Sequence, residues 1–72
     1  MIKQFMIVKV NNEIQEYPLN STVGAIMEKN NIRDTRGIAI AINENIVKKD
    51  NWQNVLLREN DEIIIIKATQ GG

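Results

Sequence analysis

Four consecutive isoleucines, Ile63 to Ile66, bracketed by Glu62 and Lys67, constrain this chain more than any other segment. Side chains of a strand point alternately to its two faces, so a β-branched run apolar at both parities predicts a central strand covered on both sides. Everything else must pack around it. With 72 residues the chain forms one domain, and a core of that size buries little more than ~60% of the unfolded surface. Small scaffolds have only a few kcal/mol in hand, so a deep, dry catalytic cleft would consume volume this core cannot spare.

The segments before the isoleucine run supply its neighbours. Ile2 to Val10 is apolar with partial alternation, Met6, Val8 and Val10 sharing one parity, and reads as a strand. Asn11-Asn12 tolerates the positive φ of a tight hairpin turn, Glu13 to Tyr17 returns antiparallel, and Pro18 ends the pairing or marks an edge. Ser21 or Asn20 is placed to cap a short helix over Thr22 to Asn30, with Val23, Ile26 and Met27 on one face. Gly24 inside it costs about 1 kcal/mol relative to Ala, which fits either close approach to another backbone or plain helix weakening. Asn30-Asn31 suits a left-handed helix end, with Ile32 folding back on the last turn.

Gly37-Ile38-Ala39-Ile40-Ala41-Ile42 alternates large and small apolar residues, predicting a strand with isoleucines toward the core and alanines toward a thinly covered face. Asn43-Glu44-Asn45 is a turn and Ile46-Val47 a brief return strand. Asp50 can cap a short turn that holds Trp52 against the domain before Val55-Leu56-Leu57, and Glu59-Asn60-Asp61 turns into the final strand. The economical packing is α+β: one main helix on one face of a mixed four- to five-stranded sheet. Residues 1–67 form the domain and 68–72 a flexible tail.

Composition removes most functional classes. Nine Lys plus Arg balance nine Asp plus Glu with no long block of either sign, so the basic face that nucleic acid requires is lacking. There is no cysteine and no histidine, which removes a thiolate nucleophile, the usual zinc ligands and the proton shuttle near neutral pH. Glu59, Asp61 and Glu62 carry oxygen ligands, yet their spacing fits no calcium loop. No phosphate-cradling glycine loop is present. Met1-Ile2-Lys3-Gln4-Phe5 lacks a secretory apolar stretch, and no apolar run reaches membrane-spanning length. A cytoplasmic protein without membrane contacts is expected.

After Lys67 the pattern switches abruptly to Ala68-Thr69-Gln70-Gly71-Gly72. Two residues without side chains can be threaded through a channel too narrow for a Cβ, and they adopt unusual backbone conformations at little steric cost. The terminal carboxylate of Gly72 is a poor electrophile until one oxygen becomes a leaving group. Adenylation by a partner would achieve that, and no side chain of this chain need act as acid, base or nucleophile. A terminal Gly-Gly taken alone is more often a frayed end. Directly after a central apolar strand, it points to a working tail.

The chain resembles the thiamin-biosynthesis sulfur carriers, the ThiS family, over about Met6 to Gly72. The resemblance is carried by Val10-Asn11-Asn12-Glu13, by Gly37-Ile38-Ala39-Ile40-Ala41-Ile42-Asn43, by Ile46-Val47 with Trp52, by Glu59-Asn60-Asp61-Glu62-Ile63 and by the ending Ala68-Thr69-Gln70-Gly71-Gly72. Two positions depart from it: Lys48 stands where a proline is expected and Asn60 where a glycine is usual. Residues 1–5 extend the usual start, leaving Met1 or Met6 as the initiation residue.

The resemblance implies a ubiquitin-like β-grasp fold and a carrier that is not itself an enzyme. An E1-like adenylyltransferase, using ATP with magnesium, would adenylate Gly72. A cysteine desulfurase or persulfide relay would convert it to a thiocarboxylate, and thiazole synthase would take the sulfur for the thiazole ring of thiamin. The chain itself would bind no cofactor and no metal. Thr69, Gln70, Gly71 and Gly72 would contact partners. Of the isoleucine run, one pair is assigned to the core and the other, Ile64 and Ile66, to a partner surface continuous with the tail. The same tail chemistry also fits the small subunit of molybdopterin synthase, against which Trp52 and the Gly37 to Asn43 segment weigh. A ubiquitin-like modifier conjugated through Gly72, or a non-covalent interaction module, are the remaining alternatives.

Overall fold

The computed structural model describes residues 3–68. The elements run β1 (Phe5–Val10), β2 (Glu13–Pro18), α1 (Gly24–Lys29), β3 (Ile38–Ile42), β4 (Asn45–Val47), a 3-10 turn (Lys49–Asn51) and β5 (Glu62–Lys67). They build a five-stranded mixed sheet of order β2-β1-β5-β3-β4, a β-grasp arrangement with one short helix. The isoleucine strand is central, parallel to β1 and antiparallel to β3.

Two hairpins organise the edges. Asn11 and Asn12 have φ of 48° and 69°, and Asn43 and Glu44 have 48° and 72°. Paired left-handed residues are what a two-residue hairpin loop needs to match strand twist. Asn60 also lies at positive φ, 69°, so asparagine supplies the geometry for which glycine is usual. Lys48 sits at φ −60°, a value proline would share.

The core forms on the helix side of the sheet. Met6, Val8 and Val10 of β1, Tyr17 of β2, Ile40 of β3 and Ile63 of β5 pack with Val23, Ile26 and Met27 around the helix and with Trp52 and Leu57. Trp52 is anchored by its indole Nε1, which donates to the Val47 carbonyl at 3.0 Å. Beside it, Lys49 donates to the Thr35 carbonyl and lies 5.7 Å over the indole ring, so it ties two loops together and is more than the solvated charge its Lys-Lys-Asp context suggests. The Tyr17 hydroxyl donates to Gln15 Oε1, and burial pushes its pKa up from the ordinary tyrosine value.

The helix departs from expectation in two respects. It is shorter, and neither Ser21 nor Asn20 caps it: Val23 holds the N-cap position without a side-chain bond. The Ser21 hydroxyl instead donates to the Pro18 carbonyl. The exposed N–H groups at the helix start are met by backbone, with Val23 N–H donating to Val55 O and Gly24 N–H to Trp52 O. Segment 52–57 thus replaces the side-chain cap, and its only ladder contact is the bridge between Thr22 and Leu56.

Gly24 does approach another backbone, its N–H donating to the Trp52 carbonyl at 3.0 Å, but what its missing side chain faces is a side chain. A Cβ there would come 2.4 Å from Nε2 of Gln53, the far end of an exposed, flexible side chain. Gln53 can swing away, while Ala restricts the unfolded chain more than Gly does. We predict that Gly24→Ala leaves stability unchanged or raises it by about 0.5 kcal/mol. Chemical denaturation checks this; a loss above about 1 kcal/mol would mean that the Gln53 position is fixed.

Candidate functional site

The proposed working group, the carboxylate of Gly72, and the contact residues Thr69, Gln70 and Gly71 lie outside the described residues. What the structure does describe is the platform from which they depart. β5 runs up the middle of the sheet, and its last described neighbour, Ala68, donates its N–H to the Gly37 carbonyl at 2.8 Å. Gly37 has φ 72°, in the left-handed region that favours glycine, so the start of β3 and the root of the tail are fastened at one point.

The four isoleucines divide by parity. Ile63 is fully buried and Ile65 partly so on the helix side, whereas Ile64 and Ile66 are 44% and 45% exposed on the other face. A strand covered on both sides is therefore not what forms: β5 is central, but among the described residues no helix lies on one face of the sheet. Opposite Ile64 and Ile66 in the β3 register stand Ala41 and Ala39, and Ile46 of β4 pairs with Ala41. Ala41 thus lies between Ile64 and Ile46 across the strands, and Ala39 beside Ile66. Phe5 and Ile7 of β1 and Ile14 of β2 are also exposed. These last three stand toward the other end of the sheet, with Lys9 and Glu62 between them and Ile64.

Polar groups frame the platform. In the loop before β3, Asp34 and Arg36 form an ion pair at 2.8 Å, and the Arg36 side chain and backbone N–H hold the Asp34 carboxyl below its ordinary pKa. At the other end of β5, Asp61 is buried and satisfied: its carboxylate accepts from Arg58 N–H and from Asn43 Nδ2. Asn43 Oδ1 accepts in turn from Glu62 N–H. Glu59 pairs with Lys3 and accepts from Ile7 N–H, and both contacts lower its pKa, that of Lys3 most. The acidic turn is thus occupied by protein donors, and among the described residues no cluster of three metal-ligating side chains exists. The roles of Asn43 and Asp61 as a lock between turn and strand were missed by sequence reasoning. An Asn at a hairpin turn opposite an Asp-Glu strand start is the signal that could have suggested them.

The described residues contain no cysteine and no histidine. They present a central strand, held by β3 along its length and by β1 at its start, with Ile64 and Ile66 exposed on one face. No helix among the described residues is long and apolar enough to cross a membrane.

Comparison with known proteins agrees with this arrangement. The chain is 27% identical over 67 residues to the sulfur carrier protein ThiS of Escherichia coli (strain K12), a match covering 93% of this chain and all of that one. The fold is similar to the crystal structure of a thiamine biosynthesis protein (ThiS) from Geobacter metallireducens, with a TM-score of 0.78 and 12% identity over 93% of this chain and all of that chain. The model of the ThiS family matches residues 5–72, the tail included. By that match, the chain belongs to the ThiS family.

Proposed function

We propose that this protein carries sulfur as a thiocarboxylate on Gly72 and delivers it for construction of the thiazole ring of thiamin. The carboxylate attacks the α-phosphorus of ATP on a partner adenylyltransferase; a C–O–P bond forms and pyrophosphate leaves. A persulfide sulfur then attacks the acyl carbon and AMP leaves, and reductive cleavage of the S–S bond by a thiol frees the thiocarboxylate. Thiazole synthase accepts that sulfur. ATP, bound with magnesium by the partner, is consumed as substrate there, and this chain acts as a protein co-substrate.

The observation that carries the reading is the union of family membership over residues 5–72 with a central β5 fastened by Ala68 to Gly37, immediately ahead of the Gly71-Gly72 end. The absence of cysteine and histidine supports a passive bearer whose chemistry resides in its partners. The exposed Ile64 and Ile66 fit a docking surface for the activating enzyme, contiguous with the strand that delivers the tail.

Gene deletion in the native organism tests the destination of the sulfur. The reading expects a thiamin requirement, relieved by thiazole, with molybdoenzyme activity intact. Loss of molybdoenzymes without a thiamin requirement would transfer the protein to molybdopterin synthesis.

A further inference from the structure

Backbone hydrogen bonds of β5 alternate strictly between its two neighbours. The even positions face β3: Ala68 N–H donates to Gly37 O, and Glu62 O accepts from Asn43 N–H. The odd positions face β1: Asp61 O accepts from Lys9 N–H and Ile63 O from Asn11 N–H. The β1 register, however, stops at Val10 opposite Ile63, where the Asn11-Asn12 turn leads the chain away. Beyond that point β5 continues for four residues with β3 on one side only. The first vacant rung is plugged by a side chain, since Asn11 Oδ1 accepts the Ile65 N–H at 2.8 Å. The Ile65 carbonyl and both the N–H and carbonyl of Lys67 then point to an edge beside which no strand of the described residues lies.

We infer that this edge receives an extended segment of the adenylating enzyme, which continues the line of β1 and pairs with β5 at Ile65 and Lys67. This rests on the sulfur-carrier reading above. The tail's reach argues for that occupant. From Ala68, four residues lead to the reactive carboxylate, and at ~3.3–3.6 Å per residue they span at most about 14 Å. An enzyme whose nucleotide site meets Gly72 must therefore present its surface within that distance of the open edge. Main-chain pairing of this kind gives affinity without demanding particular side chains, while pockets for alternate residues add specificity. The exposed Ile64 and Ile66 lie next to the edge to fill them. A second copy of the chain fits less well, because an exposed lysine at an edge, here Lys67, is a usual guard against self-pairing.

The test exploits the alternation. Proline is tolerated in a strand where its missing N–H faces away from the ladder, and the Lys67 N–H is not used by β3. Lys67→Pro should retain the melting temperature within a few degrees yet raise the KM for the carrier in ATP–pyrophosphate exchange, catalysed by the adenylyltransferase of the same organism. We expect a KM about tenfold above that of Lys67→Ala, which keeps the N–H. Amide hydrogen exchange on the unmodified chain gives a second readout: the Lys67 amide should exchange rapidly in the free carrier and become protected when the enzyme is added. Equal KM values for the two variants, or an unprotected Lys67 amide in a complex that forms, would overturn the inference while leaving the carrier reading intact. A wild-type chain that supports no exchange at all would overturn both. An edge that instead mediates concentration-dependent dimers, abolished by Lys67→Pro without effect on the enzyme, would assign it to a second copy and likewise refute the proposal.

Discussion

Replacing Ile63 by alanine should cost about 2–5 kcal/mol, whereas the same change at the next residue, Ile64, should cost about 1 kcal/mol or less. The two isoleucines are adjacent in one strand, yet Ile63 is fully enclosed and Ile64 is nearly half exposed. Removing the Ile63 side chain leaves a void beneath α1 that a tightly packed core relaxes into only partly. A chain of this size has a total stability of only ~4–11 kcal/mol. Ile63→Ala should therefore lower the melting temperature by at least about 10 °C and leave much of the protein unfolded at physiological temperature. Ile64→Ala should fold normally and, if the open face docks a partner, weaken turnover by the adenylyltransferase. Thermal melts of the two variants decide the matter, and equal destabilisation would mean that the face bearing Ile64 and Ile66 is covered.

The second large effect concerns the tail. Truncation after Gln70, removing Gly71 and Gly72, should leave the melting temperature unchanged, because the described core and ladders all lie within residues 3–68. Adenylation should fall to background. The acyl group that ATP activates would then end a glutamine, too long by its side chain and two residues short. Pyrophosphate exchange measured alongside a melt separates loss of the reactive end from loss of the fold. Retained exchange in the truncated chain would remove Gly72 from the mechanism.

How far the sequence could be read depended on which force dominated locally. The hairpin turns were legible because Asn11-Asn12 and Asn43-Glu44 must take positive φ, and few residue types do so cheaply. The final strand was legible from four β-branched residues in a row, and the alternation of Ile and Ala in β3 pointed its large side chains to the core. Long-range choices were less accessible. The start of α1 could have been capped by Ser21, but the carbonyls of Trp52 and Val55 took that place through a contact some thirty residues away in the chain. Gly24 left a close backbone approach and plain helix weakening both open, and only the fold shows its N–H on the Trp52 carbonyl with the end of Gln53 where a Cβ would stand.

The isoleucine run showed where local pattern stops being informative. Periodicity reveals that both parities are apolar; only the fold reveals that a single helix covers one of them. Ile64 and Ile66 are thus left on an open face for reasons of helix number, not of strand chemistry. The buried Asp61 and its lock to Asn43 were hidden for a similar cause, since an acidic turn residue ordinarily faces water. Of the candidate site itself, Ile64 and Ile66 are placed by the structure, and Thr69 to Gly72 lie outside the described residues.

The central claim is chemical: the working group is a C-terminal acyl carbon that bears sulfur in the cell. Intact-protein mass spectrometry of the carrier purified from its native organism, followed by fragmentation of the C-terminal peptide, tests this directly. The account predicts a population heavier by the replacement of one oxygen by sulfur, with the added mass confined to Gly72 and lost on hydrolysis. A terminus that is always an ordinary carboxylate, even when cells are starved of thiamin, or one joined by an amide bond to lysines of other proteins, would contradict it.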